Sequence, residues 1–297
     1  MACGLQEESR HEEAIDAFRE AIRLENPGGS DLYYNFGVSL SHLRRWEEAA
    51  GAYENAAQLD PSRADAWEGV GSAYVMFGRW GDAAACYDRV RRLSPTLGRG
   101  VDAAYVLMEV NRLEEAESLL REVLKIDPDC LDTKELFAQT LAGLDRYDES
   151  IRVARDICAA DPKRSSAHAI LGMVLAEAGQ LDEALSEAKA AVEIAPQDGY
   201  AHGAVGTVYL KMTHGAAALA AFERARAFLA IATEPPDPAT SARCACGRGV
   251  ALSLLGRHDE AMSAFDELLR VEPDFFERWP EQAASYELSR RETTRGS

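Results

Sequence analysis

Apolar residues recur along the chain in a helical rhythm, at spacings of three and four, interrupted at regular intervals by proline and glycine. In one stretch, Trp67-Glu-Gly-Val-Gly-Ser-Ala-Tyr-Val-Met-Phe predicts an amphipathic helix that stops at Gly78. Trp80-Gly-Asp-Ala-Ala-Ala-Cys-Tyr-Asp-Arg-Val-Arg-Arg-Leu predicts a second, stopped by Ser94-Pro95 because proline has no N–H with which to continue. Small residues at Gly71 and Ala83 let two helices of a tight hairpin approach, and Trp67, Tyr74 and Tyr87 fill the space between hairpins.

This unit repeats. Pro27, Pro61, Pro95, Pro128, Pro162 and Pro196 are separated by 34, 34, 33, 34 and 34 residues, and Pro273 follows after 77, two periods plus nine. Gly37, Gly71, Gly172, Gly206 and Gly249 keep step, with Ala104 and Ala138 in the two remaining copies. A third ladder is Ala49, Ala83, Ala116, Ser150, Ala184, Ala218 and Ala261; a fourth is Tyr53, Tyr87, Leu120, Ala154, Ala188, Phe222 and Phe265. Four residue classes in one phase predict an all-α stack of helical hairpins.

The chain resembles the tetratricopeptide repeat family. The family pattern of early aromatic, Leu-Gly, Tyr, Gly, Ala, Phe/Tyr, Ala and Pro appears as Tyr33, Phe36-Gly37, Leu40, Ala49, Tyr53, Ala56, Pro61, and again as Trp67, Val70-Gly71, Tyr74, Gly78, Ala83, Tyr87, Pro95. Leu171-Gly172, Leu175, Gly179, Ala184, Ala191, Pro196 and Val205-Gly206, Tyr209, Ala218, Phe222, Ala225 are later copies. The resemblance implies a right-handed superhelical solenoid. The expected organisation is an incomplete repeat over 1–29, six repeats over 30–233, a proline-rich insertion at 234–241, a seventh repeat at 242–275, and a capping helix with polar tail over 276–297. Residues 9–26 read as a second helix whose first helix is missing. An upstream segment, a short stub, or an uncovered face of Ile15, Phe18 and Ile22 would each account for it. At the other end Phe275, Phe276, Trp279, Tyr286 and Leu288 read as an amphipathic cap, with Pro280 in the first turn of its helix.

Charge narrows the possible partners. The 297 residues carry 32 Lys+Arg against 50 Asp+Glu, a formal charge of -18 that opposes binding to nucleic acid or an anionic membrane surface. Neither a signal peptide nor an apolar run long enough to span a bilayer is present, so the sequence reads as soluble and cytoplasmic. The six cysteines then read as reduced thiols, mostly buried as small hydrophobes.

No residue pattern in the sequence marks a catalytic, metal or cofactor site. Gly98-Arg-Gly100 and Gly247-Arg-Gly249 lack the spacing and the Lys-Ser/Thr of a phosphate loop. Cys244 and Cys246 point about 200° apart on a helix and cannot easily share a metal. His168 and His202, one period apart, read as replacements for the early aromatic residue.

The resemblance implies instead a concave groove formed by the first helices. The phase places Asp31, Tyr34, Asn35, Val38, Ser41, His42, then Asp65, Glu68, Ser72, Val75, Met76 on it. Val101, Asp102, Tyr105, Met108, Glu109 and Asp132, Glu135, Gln139 follow, then Ile170, Met173, Glu177, and finally Thr207, Leu210, Lys211, Arg243, Cys246, Val250. Eight are acidic; Lys211 and Arg243 are the only basic ones. Family members that grip chaperone carboxylate tails use a Lys/Asn/Arg clamp, whose positions here hold Tyr34, Val38 and Gly69; the asparagine ladder of sugar-transferase superhelices keeps one rung, Asn35. An acidic groove with Tyr and adaptable Met suits a basic, amphipathic polypeptide. The reading is a non-enzymatic protein-binding scaffold. Alternatives are a self-assembling scaffold that forms homo-oligomers through its N-terminal end, or a regulatory arm of a larger enzyme or complex.

Overall fold

A computed structural model describes residues 2–24, 29–94, 100–232 and 238–296. All regular structure in them is helical. The chain divides into two compact units, 1–106 and 107–297. The first holds α1 (Ala2–Leu24), the hairpins α2 (Ser30–His42)/α3 (Trp46–Leu59) and α4 (Ala64–Met76)/α5 (Trp80–Leu93), and most of α6 (Gly100–Glu109), within which the division falls. The second holds α7 (Leu113–Ile126), then α8 (Leu131–Gly143)/α9 (Tyr147–Ala160), α10 (Ser165–Glu177)/α11 (Leu181–Ile194), α12 (Gly199–Lys211)/α13 (Gly215–Ile231) and α14 (Pro238–Leu254)/α15 (His258–Val271). It ends with the single turn α16 (Phe275–Arg278), a 3-10 turn at Pro280–Gln282, and α17 (Ala283–Gly296).

The small-residue ladder explains the hairpins. Ala49, Ala83, Ala116, Ser150, Ala184, Ala218 and Ala261 are all fully buried, and Ser150 satisfies its hydroxyl by donating to the Ala138 carbonyl at 2.6 Å. Rings of the fourth ladder lie where glycine leaves room. A Cβ on Gly37 or Gly69 would sit 2.7 Å from Tyr53 Cδ1, and one on Gly206 2.9 Å from the Phe222 ring. Gly247 and Gly249, which fail as a phosphate loop, likewise admit Phe222 and Phe265.

Turns follow the same period. Arg44, Gly78, Asn111, Asp145, Gly179, Thr213 and Gly256 all take positive φ, closing the first helix of each hairpin with a left-handed residue. Between hairpins, Asp60 and Asp161 fold back so that Oδ1 accepts from the N–H of Ser62 at 3.0 Å and of Lys163 at 3.1 Å, shaping the Asp-Pro turn.

Three terminal and inter-repeat expectations change. The helix expected over 9–26 is one continuous α1 from Ala2, whose Ile15 is fully buried in the cluster with Leu40 and Tyr53. The insertion expected at 234–241 is helical from Pro238, because α13 and α14 each run to 17 residues and absorb part of the excess; 233–237 lie outside the described residues, as do Pro27 and Pro95. In the cap, Phe276 and Tyr286 stack at 4.9 Å and meet Phe265, whereas Leu288 is exposed.

Candidate binding groove

In the second unit α8 packs on α10, α10 on α12 and α12 on α14, so the first helices form a continuous inner row. Residues spaced three and four apart on that row point to one side: Met173 and Glu177 on α10, Gly203, Thr207 and Lys211 on α12, Thr240 and Arg243 on α14. Together with Met108, Glu109 and Gln139 they line a cavity of about 630 Å³. Tyr147, Tyr200, Phe222 and Trp279 add aromatic surface. Eight of the expected groove residues, Met108, Glu109, Gln139, Met173, Glu177, Thr207, Lys211 and Arg243, thus come together in one cavity.

Others do not join it. Ile170 and Cys246 are buried in the packing between hairpins rather than facing the cavity. Asp132 and Glu135 meet at the start of α8, where Arg164, from the turn ahead of α10, binds both; its Nε donates to Glu135 Oε1 at 2.5 Å. Glu135 first, then Asp132, hold that guanidinium above its ordinary pKa. Sequence reasoning also missed Tyr147, Tyr200, Trp279 and Gln282. Tyr200 was legible, lying three and seven residues ahead of Gly203 and Thr207 on α12; Tyr147 and Trp279 come from a second helix and the cap, outside the first-helix stripe.

The same arginine position acts in the first unit. Arg63, ahead of α4, binds Asp31, reaches Asp65 Oδ1 at 2.9 Å, and lies 4.4 Å over the Tyr34 ring. Asn35 is exposed, Ser72 shares a hydrogen bond with Tyr87 at 3.1 Å, Glu68 and Met76 are half-buried, and the Tyr105 and Trp80 rings stand T-shaped with centroids 5.9 Å apart. Asp102 is open to solvent, yet the surrounding protein displaces enough water to raise its carboxyl above the ordinary value.

The acidic stripe is therefore less bare than its spacing implies. Glu177 pairs with Lys211 at 2.5 Å and Glu109 with Arg243 at 2.7 Å. Asp31 and Asp65 share one guanidinium, as do Asp132 and Glu135, so each such cluster retains one net negative charge. At the groove rim, the Tyr147 hydroxyl donates to Asp145 Oδ1 at 2.5 Å, which with burial pushes its pKa up to about 12.

The two histidines occupy the early aromatic position in parallel fashion. A ring nitrogen of His168, His202 and Trp67 each meets the carbonyl of the proline six residues earlier, at 3.2, 3.0 and 3.2 Å. Cys244 and Cys246 part as expected, one toward the Phe222 carbonyl and the other toward Gln282. Burial pushes Cys86, Cys158 and Cys244 up to about 11, the opposite of an activated thiol. Among the described residues no three His, Cys, Asp or Glu side chains gather to hold a metal, and no helix is long and apolar enough to cross a membrane.

Tetratricopeptide repeat profiles match residues 1–58 and 34–97, 107–174, and 165–198 and 242–275. Among solved structures, a tetratricopeptide repeat protein from Parabacteroides merdae is similar with a TM-score of 0.65 at 14% identity, over 88% of this chain and 98% of that one. Yeast Tom70 gives 0.59 at 14% identity over 95% of this chain and 60% of its own. A thermophilic protein of the same repeat class from Thermus thermophilus gives 0.54 at 19% over 64% and 99%. At these identities the likeness is one of fold. No curated protein matches the chain in sequence.

Proposed function

Since the chain belongs to the tetratricopeptide repeat family, whose members are generally non-catalytic protein-binding scaffolds, we propose that it docks a segment of another polypeptide in the groove of its second unit. The observation that carries this reading is the cavity of about 630 Å³, in which Met108, Met173, Tyr200 and Trp279 provide apolar contact beside the charged Glu109, Glu177, Lys211 and Arg243. Methionine and aromatic surface adapts to varied apolar side chains, while the charges orient an incoming chain.

The partner segment is amphipathic and preferably basic. Within that unit, two carboxylates share one arginine at Asp132/Glu135 and leave room for a further cation, and the -18 charge of the chain steers cations toward it. We place the protein in the cytoplasm, where the reduced thiols of Cys86, Cys130, Cys158 and Cys244 would persist.

Fluorescence anisotropy with a library of short amphipathic peptides, basic and acidic in parallel, tests both parts. Basic members are expected to bind more tightly, with affinity falling as salt rises, and alanine at Asp145 and Glu177, which line the cavity, and at Asp132 and Glu135, on the first helix α8 of the same unit, should flatten that salt dependence. Equal affinity for both sets, unchanged by the four substitutions, would remove the charge preference; no binding by any member would remove the groove as a docking surface.

A further inference from the structure

In a stack of repeats each hairpin touches its sequence neighbours. Contacts between residues separated by 134 and 169 positions are not products of that stacking, and two of them converge on Glu109. Arg243 Nη1, from the start of α14, donates to Glu109 Oε1 at 2.7 Å. Arg278 Nη1, at the end of α16, donates to the Glu109 main-chain carbonyl at 2.8 Å, with Glu109 Oε2 at 3.8 Å. Arg278 is in turn bound by Glu272 and lies 3.3 Å from Asp274 Oδ2. The side chains of Glu109, Arg278 and Glu272 are 5%, 9% and 1% exposed; that of Arg243 is 46% exposed.

We infer that this cluster is an ionic clasp that joins the two ends of the groove-lining series and sets how far the groove opens. The segment it holds carries Trp279 and Gln282, which themselves line the cavity. A buried ion cluster contributes little net stability, because desolvation offsets the attraction, but it fixes geometry, and removing one partner strands the others. The two arms differ in kind. Arg278 is enclosed and bound on three sides, so it anchors; Arg243 is half open to water, so a cation brought by an incoming segment can replace it on Glu109. The clasp rests on the docking reading for its purpose, since it makes a basic partner the agent that loosens the groove, but its existence is testable with no partner present.

Spin labels placed through unnatural amino acids at the exposed positions Glu114 and Glu287 of the full chain would report the span across the clasp by double electron–electron resonance. The wild type should give one narrow distance distribution; Glu109→Gln and Arg278→Met should each broaden it and lengthen its mean, with circular dichroism confirming that the helices remain. An unchanged distribution in folded Glu109→Gln overturns the clasp. If neither variant folds, Arg243→Met, altered at the half-open arm, carries the same test with the same two outcomes. A penta-arginine peptide added to the wild type should broaden the distribution in the same direction while leaving Arg243→Met unaffected; no effect on the wild type overturns the exchange at Arg243.

Discussion

At the residue scale, the left-handed turn position separates conformational strain from packing. Thr213 holds φ 59°, a region that costs a β-branched residue about 1–2 kcal/mol, whereas Gly179 meets the same demand at φ 78° without a side chain. Thr213→Gly is expected to stabilise the protein by about 0.5–1 kcal/mol, less than the full strain because glycine also loosens the unfolded chain. Gly179→Ala should cost about 1 kcal/mol although nothing lies within 4 Å of the new Cβ. Urea unfolding of the two variants checks the opposite signs. The buried thiols supply a pH effect. Cys86 and Cys244 rise from an ordinary value near 9 to about 11 through burial, so between those values the folded chain holds protons that the unfolded chain has released. Stability therefore falls as pH rises through that window. Cys86→Ala should make the midpoint of urea unfolding less sensitive to pH there; an equally steep decline in the variant would assign the effect elsewhere.

At the scale of the element, glycine has two opposite meanings. Gly51 lies inside α3 with nothing within 4 Å of where a Cβ would stand, so Gly51→Ala should stabilise by about 0.5–1 kcal/mol through helix propensity alone. Gly247 lies inside α14 against the Phe222 ring, where a Cβ would overlap Cζ. There the same substitution should destabilise by about 1–3 kcal/mol of overpacking, more than the propensity gain. Thermal unfolding of both variants reads the contrast directly. This layer was legible in the sequence, because ring and glycine keep a fixed offset within a repeat, Tyr53 facing Gly37 and Phe222 facing Gly206, and the same offset to the next repeat, Tyr53 facing Gly69, lengthened only by the inserted residues where Phe222 faces Gly247. The arginine clusters were not. Arg63 and Arg164 stand in the turn ahead of a helix, outside the stripe of positions that a helical spacing selects; Arg63 reaches back to Asp31 and forward to Asp65, and Arg164 reaches back to Asp132 and Glu135.

At the scale of the whole molecule, period stops being informative. The contact of Arg278 with Glu109 spans 169 residues and recurs in no other copy among the described residues, so no ladder announces it. The cavity, by contrast, follows from stacking, and one position in it allows a test that leaves stability intact. Gly203 faces the cavity from the middle of α12, and nothing lies within 4 Å of its Cβ direction. Gly203→Phe should therefore keep or slightly raise stability, since phenylalanine favours the helix over glycine, while its ring fills space that an incoming segment would occupy. Displacing even one well-packed apolar contact of about 1.4 kcal/mol lowers affinity tenfold. The expected result is a loss of peptide affinity of about tenfold or more with an unchanged or higher melting temperature. Tight binding retained by the Gly203→Phe variant would move the docking surface out of residues 107–297 and leave the first unit, with Tyr34, Asp65 and Glu68, as the place to look.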